Sequence, residues 1–148
     1  MRIAELTKEM VAEELRLLGD PCAAAASVVR KALRAAFKGA PAEGTSPERI
    51  IEDTVKGAMT ALLMADHSLA RGAILVLEAV HDAAGECALD PTESMRASLR
   101  ALADLRRFVE PGRLDDIRLE IDAHYMGAGD VFVQFLNAPL PGAARAPF

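Results

Sequence analysis

The chain has 148 residues, enough for one domain with a hydrophobic core, and 51% of them are hydrophobic against 26% charged. This balance argues against a chain that is disordered over its whole length. A formal net charge of −5 disfavours a general nucleic-acid binder, because such domains are usually basic. Aromatic residues make up only 4% and Trp is absent, so the core must be built from Ala and aliphatic side chains. About one residue in five is Ala, the strongest helix former, which predicts an all-helical protein.

Three dipeptides mark where helices begin: Asp20-Pro21, Ser46-Pro47 and Asp90-Pro91. In each pair the first side chain can accept a backbone N–H at the start of a helix. Proline at the next position gives up an N–H that has no partner in the first turn. Helices are therefore predicted to start at these three prolines.

Apolar residues that recur every three or four positions predict the extent of each helix. Six helices follow from this pattern: Ile3–Leu18, Pro21–Lys38, Pro47–Ala65, Leu69–Glu86, Pro91–Val109 and Arg113–His124. The fourth is apolar nearly all round, which predicts a central position. A single helix from Pro47 to Glu86 would be about 60 Å long, too long for one compact domain. We therefore place a break at Asp66-His67-Ser68, with Asp66 or Ser68 as the cap of the fourth helix.

The C-terminal part is less regular. Gly127 and Gly129 weaken a helix, and the uncharged run Val131–Leu136 is too short to distinguish a last helical segment from a strand. Residues 138–148 contain three prolines and are predicted to be a flexible tail. The predicted fold is all-α: an antiparallel bundle of five or six helices with short connections, forming one domain over residues 1–137.

The N-terminal sequence and the apolar segments predict a cytoplasmic protein, in which cysteines are usually reduced. Cys22 and Cys87 form neither a CxxC motif nor a zinc-binding spacing, which favours two buried free thiols. A disulfide would require the start of one helix to meet the end of another. The first twenty residues carry several acids and no uninterrupted apolar region, so no signal peptide is expected. The most apolar window, residues 57–80, is interrupted by charges such as Asp66 and Arg71, which argues against a membrane span.

Two Glu/His pairs are candidate metal ligands. Glu78 and His81 form an E-x-x-H pair on the fourth helix, and Glu120 and His124 share a face of the sixth. Ferritin-like bundles hold their metals with such pairs from two helices and a Glu from each of two more. The four residues could bind one divalent metal ion if the two helices were neighbours. The alternative is that Glu78 and His81 lie on an exposed strip.

Four cations form a basic stripe on the second helix: Arg30, Lys31, Arg34 and Lys38. No acid lies on this helix, so the stripe could bind an anionic surface. It could also pair with the acidic sixth helix, within the domain or across an oligomer. A third interpretation is a solvated face, stabilised by cations near a helix C-terminus.

Four apolar residues near the C-terminus form a predicted partner interface: Val131, Phe132, Phe135 and Leu136. This uncharged segment would promote aggregation if it were exposed. It must therefore pack against the bundle or be buried in a partner. Together with the apolar fourth helix, it predicts a homodimer or a higher assembly.

No nucleophile, base or phosphate loop stands in a recognisable motif. The predicted function is a non-enzymatic helical scaffold or protein-interaction module that self-associates, could coat an apolar or anionic surface and needs no cofactor. The Ala-rich amphipathic helices without Trp are similar in composition to phasin-type proteins, which coat polymer granules. The alternative function is a ferritin-like metal-binding bundle.

Overall fold

The computed structural model describes residues 3–18, 20–38, 46–65 and 68–138, without the side chains of residues 11–18. Seven α-helices lie in these residues: α1 (Ile3–Leu18), α2 (Pro21–Lys38), α3 (Pro47–Met64), α4 (Leu69–Glu86), α5 (Pro91–Ala103), α6 (Pro111–His124) and α7 (Ala128–Asn137). A short 3-10 turn, Asp104–Arg107, follows α5. The all-helical prediction is confirmed, but the predicted number of five or six helices is too low.

The three predicted helix starts are confirmed by their hydrogen bonds. Asp20 Oδ1 accepts from the backbone N–H of Cys22 at 3.1 Å, and Asp90 Oδ1 accepts from that of Thr92 at 2.8 Å. Ser46 Oγ accepts from the N–H of Arg49 at 3.2 Å. Each cap thus satisfies a backbone donor that has no partner inside its helix.

The break between the third and fourth helices is also confirmed. Ser68 caps α4, because its Oγ accepts from the backbone N–H of Arg71 at 3.4 Å. The alternative cap Asp66 and its neighbour His67 lie outside the described residues. Residues 139–148 of the predicted tail lie outside them as well.

The C-terminal third differs most from the prediction. The α-helical part of α5 ends at Ala103 rather than at Val109, because the chain tightens there into the 3-10 turn. The run Val131–Leu136, predicted as either a helical segment or a strand, is helical and lies within α7. Gly127 directly precedes α7 and has a φ of +85°, a left-handed conformation that favours glycine. Asp122 of α6 then accepts from the N–H of Gly129 at 2.9 Å and so caps α7 from outside the helix.

Two pairs of helices, α2 with α4 and α3 with α5, lie side by side and run parallel. Three ion pairs join α2 to α4 in the same order along both helices: Asp20–Arg71 at 2.9 Å, Arg30–Asp82 at 3.3 Å and Arg34–Glu86 at 2.5 Å. Two more follow the same order on α3 and α5: Glu52 pairs with Arg100 at 2.6 Å, and Lys56 pairs with Asp104, the first residue after α5, at 2.8 Å. These pairs fix the direction of the helices because a reversed helix would invert their order.

The helices form two layers. α1, α3, α5 and α7 pack in sequence in one layer, and α2, α4 and α6 pack in sequence in the other. α4 contacts α2, α3, α5 and α6, which confirms its predicted central position. The helices α1, α3 and α5 begin at Ile3, Pro47 and Pro91, at equal intervals along the chain. Stacked pairs of helices with contacts to neighbouring pairs are the packing scheme of helical-repeat proteins.

Candidate functional site

The predicted metal ligands lie on neighbouring helices but do not assemble into a metal-binding group. Glu78 and His81 are exposed on α4, which packs against α6. On α6, His124 Nδ1 lies 3.0 Å from the carbonyl oxygen of Glu120 and 3.9 Å from its carboxylate. Within the described part of the chain, no three His, Cys, Asp or Glu residues converge on a position that could hold a metal ion. The Glu120–His124 pair is thus a local contact within one helix.

The basic stripe on α2 faces acids of α4 rather than those of α6. Arg34 makes a bidentate contact with Glu86, at 2.5 and 2.7 Å, and the hydrogen bond lowers the pKa of the Glu86 carboxyl. Arg30 pairs with Asp82 at 3.3 Å. Lys31 and Lys38 are exposed. The two arginines are therefore engaged within the domain, and the stripe does not present four free cations to a surface.

The predicted partner interface packs largely against its own domain. Phe132 is completely buried in the core, so it cannot contact a partner in this structure. Val131, Phe135 and Leu136 are half-buried against the same core. The ring of Phe135 lies 5.4 Å from the Arg96 guanidinium and 5.0 Å from that of Arg100, within the range of cation–π contacts. Of the two alternatives for this segment, the structure shows packing against the bundle.

A cleft of about 500 Å³ opens where α4, α5 and the α6–α7 turn meet. We call it the Met126 cleft, and its lining is His81, Pro91, Thr92, Met95, Arg96, Leu99, Tyr125, Met126, Gly127, Ala128 and Val131. Met126 at its edge is 100% exposed. The periodicity of the sequence does not reveal this cleft, because its walls come from three separate segments. A Met between Tyr125 and Gly127 carries no signal by itself.

The polar groups of the Met126 cleft can form hydrogen bonds beside its apolar walls. Burial raises the pKa of Tyr125, and the carboxylates of Glu78 and Asp82 raise it further. The phenol is therefore protonated at neutral pH, where it can donate or accept a hydrogen bond. His81, Thr92 and Arg96 are exposed. Apolar walls with a few polar groups are typical of a binding surface.

Several side chains that could act as nucleophiles are held by the backbone. The hydroxyls of Thr7, Thr54 and Ser98 each donate to the carbonyl four residues earlier, at 2.8, 2.7 and 2.9 Å. The Cys22 thiol donates to the Ser68 carbonyl at 3.5 Å, and burial raises its pKa. A thiol with a raised pKa is a poor nucleophile because the thiolate is the reactive form.

Comparisons with protein-family models, with curated proteins and with solved structures each found no match to this chain. Among the described helices, none combines the length and the apolar character needed to cross a membrane.

Proposed function

We propose that this protein is a non-enzymatic helical interaction module that self-associates through the Met126 cleft. The observation that carries the proposal is a projecting apolar side chain beside an apolar opening on the same surface. Met126 is 100% exposed, and the cleft next to it has a volume of about 500 Å³. The partner to which the proposal commits is a second copy of this chain.

A two-fold dimer requires a patch that is complementary to itself. A projection and a cavity that lie side by side meet this requirement, since rotation by 180° brings each projection to the other copy's cavity. In this arrangement Met126 of each copy enters the cleft of the other and contacts Met95, Leu99 and Val131, which line it. Methionine suits such a contact because its flexible side chain adapts to an irregular cavity.

The edge of the cleft supports the same proposal. His81, Thr92 and Arg96 line the cleft and are exposed, so they can form hydrogen bonds around an apolar centre. Protein interfaces commonly combine an apolar centre with a polar rim. The proposal requires neither a cofactor nor a catalytic group.

Sedimentation equilibrium of the wild-type protein and of Met126→Glu tests the proposal. The substitution places a charge in the apolar contact, and we expect the dimer to dissociate at least roughly tenfold more readily, as for an interface hot spot. Met64→Glu is the matched control, because Met64 is 69% exposed on α3 and does not line the cleft. It should leave the dimerisation constant unchanged.

Two results would overturn the proposal. One is a wild-type protein that stays monomeric over the whole concentration range. A monomer whose cleft binds a different protein would overturn the proposal in the same way. The other is an equal loss of association in both variants, which would place the interface elsewhere. Circular dichroism of both variants checks that the helices are intact.

A further inference from the structure

A second opening lies away from the Met126 cleft, between α3 and the end of α5. Its volume is about 350 Å³, and it is lined by Lys56, Thr60, Ala101, Asp104, Leu105, Arg107 and Phe108. We call it the Phe108 cleft. None of these residues lines the Met126 cleft. Its volume lies within the range of roughly 300–1,000 Å³ that is typical of sites for small molecules.

The residues that line the Phe108 cleft carry unequal numbers of positive and negative charges. Lys56 Nζ lies 2.8 Å from Asp104 Oδ2, so these two charges compensate each other. Arg107 is exposed and forms neither an ion pair nor a hydrogen bond in the part of the chain that the structure describes. The cleft therefore carries one excess positive charge, which favours an anionic ligand.

A hydroxyl in the cleft is also available for binding. Thr7 and Thr54 donate to the carbonyls of Ile3 and Ile50. The Thr60 hydroxyl forms no hydrogen bond within the described residues, and its side chain lines the cleft. A hydroxyl and a guanidinium together are common partners of a carboxylate or phosphate.

The apolar wall indicates the other half of the ligand. Phe108 is 69% exposed, although its backbone is held by a hydrogen bond from its N–H to the Leu105 carbonyl at 2.9 Å. Ala101 and Leu105 line the cleft and are buried in the core. A flat ring placed against Phe108 would cover this exposed aromatic surface and gain offset stacking.

We propose that the Phe108 cleft binds a small planar aromatic anion, in which a ring carries a carboxylate or a phosphate group. The ring lies against Phe108 and Leu105, and the anionic group contacts the Arg107 guanidinium and the Thr60 hydroxyl. Lys56 stays paired with Asp104 and adds to the positive potential. This site and its ligand class are independent of the proposed self-association.

Amide NMR titrations with benzoate and phenyl phosphate test the proposal, with benzyl alcohol and inorganic phosphate as comparison probes. Benzoate or phenyl phosphate should shift the amide signals of residues 56–60 and 101–108. The probe with the higher affinity shows whether the site prefers a carboxylate or a phosphate group. Benzyl alcohol lacks the charge and inorganic phosphate lacks the ring, so each should bind at least roughly tenfold more weakly.

Substitutions in the Phe108 cleft test whether the probe binds there. Arg107→Gln and Phe108→Ala should each weaken the tighter probe at least roughly tenfold, since both side chains are exposed and neither substitution disturbs the core. Arg49→Gln is the charge-matched control, because Arg49 lies on α3, is exposed and does not line the cleft. It should bind like the wild type.

Equal binding of inorganic phosphate, equal binding of benzyl alcohol or an unchanged affinity in Arg107→Gln would overturn this proposal. The same titration on Met126→Glu separates the two proposals. Retained binding in that variant shows that the Phe108 cleft acts without the dimer.

Discussion

At the scale of single residues, Asp20 serves two helices at once. Its carboxylate caps α2 by accepting from the N–H groups of Cys22 and Ala23. The same carboxylate accepts two hydrogen bonds from Arg71 of α4, both at 2.9 Å. The contact with Arg71, followed by the bond from Ala23, lowers the pKa of Asp20 from 3.8 to about 2. One side chain thus sets both the start of α2 and its register against α4.

The lowered pKa predicts how this contact depends on pH. Because the folded pKa lies below the ordinary value, the contact stabilises the fold above pH 3.8 and loses this effect as the pH falls towards about 2. Carboxyl NMR titration of the wild type should show the low midpoint for Asp20, and Arg71→Gln should raise it. Asp20→Asn keeps a side-chain oxygen for the cap, and its unfolding free energy should vary less over this pH range. A wild-type midpoint at the ordinary value would contradict the prediction.

Two glycines should respond in opposite ways to alanine. A Cβ at Gly129 would lie closer than 3.0 Å to the Asp122 carboxylate that caps α7, whereas a Cβ at Gly85 in α4 would meet nothing within 4 Å. Gly129→Ala should therefore lower the unfolding free energy by about 1–2 kcal/mol. Gly85→Ala should raise it by about 0.5 kcal/mol, since alanine favours the helix. Urea denaturation measures both, and a neutral Gly129→Ala would show that Asp122 does not cap α7.

At the scale of elements, α7 is a structural helix of the domain. Phe132 is completely buried, whereas Gln134 on the same helix is exposed. Phe132→Ala should lower the unfolding free energy by about 3–5 kcal/mol, through lost burial and the cavity left behind. Gln134→Ala should change it by less than about 0.5 kcal/mol. Denaturation curves compare the two, and a folded, stable Phe132→Ala would mean that α7 contributes little to the core.

The elements that could be predicted from the sequence are those whose signals are local. Asp20, Ser46 and Asp90 bond to N–H groups two or three residues away, so the dipeptide alone reveals the helix start. The end of α5 and the type of α7 depend on tertiary contacts, such as the bond from Gly129 to Asp122 of another helix. The run from Val131 to Leu136, with five apolar residues and Gln134, is too short to show a period, and packing around Phe132 decides its conformation.

The candidate site was less accessible to sequence reasoning for the same reason. The spacing of Arg30 and Arg34 shows that they share a face, but only the parallel packing of α2 on α4 places Asp82 and Glu86 opposite them. Likewise, Met126 gains significance only where α5 and the turn before α7 form a cleft beside it.

At the scale of the whole molecule, the two-layer stack separates the first two helices from the last two. α1 and α2 pack mainly on each other and on α3 and α4, whereas α6 and α7 pack mainly on α4 and α5. Among the residues that the structure describes, the two end pairs share no extensive contact. In stacked helical architectures, stability is close to a sum of unit and neighbour terms, and the ends can open separately.

This separation predicts a local response to core mutations in native-state hydrogen exchange. Val28 of α2 and Phe132 of α7 are both completely buried, one in each end pair. Val28→Ala should speed amide exchange in α1 and α2 by roughly tenfold or more and leave α6 and α7 unchanged. Phe132→Ala should do the reverse. Both are truncations to Ala at fully buried sites, so each serves as the control for the other. Faster exchange at both ends in either variant would show that the stack opens as one cooperative unit, in which α4 transmits the loss of packing from end to end.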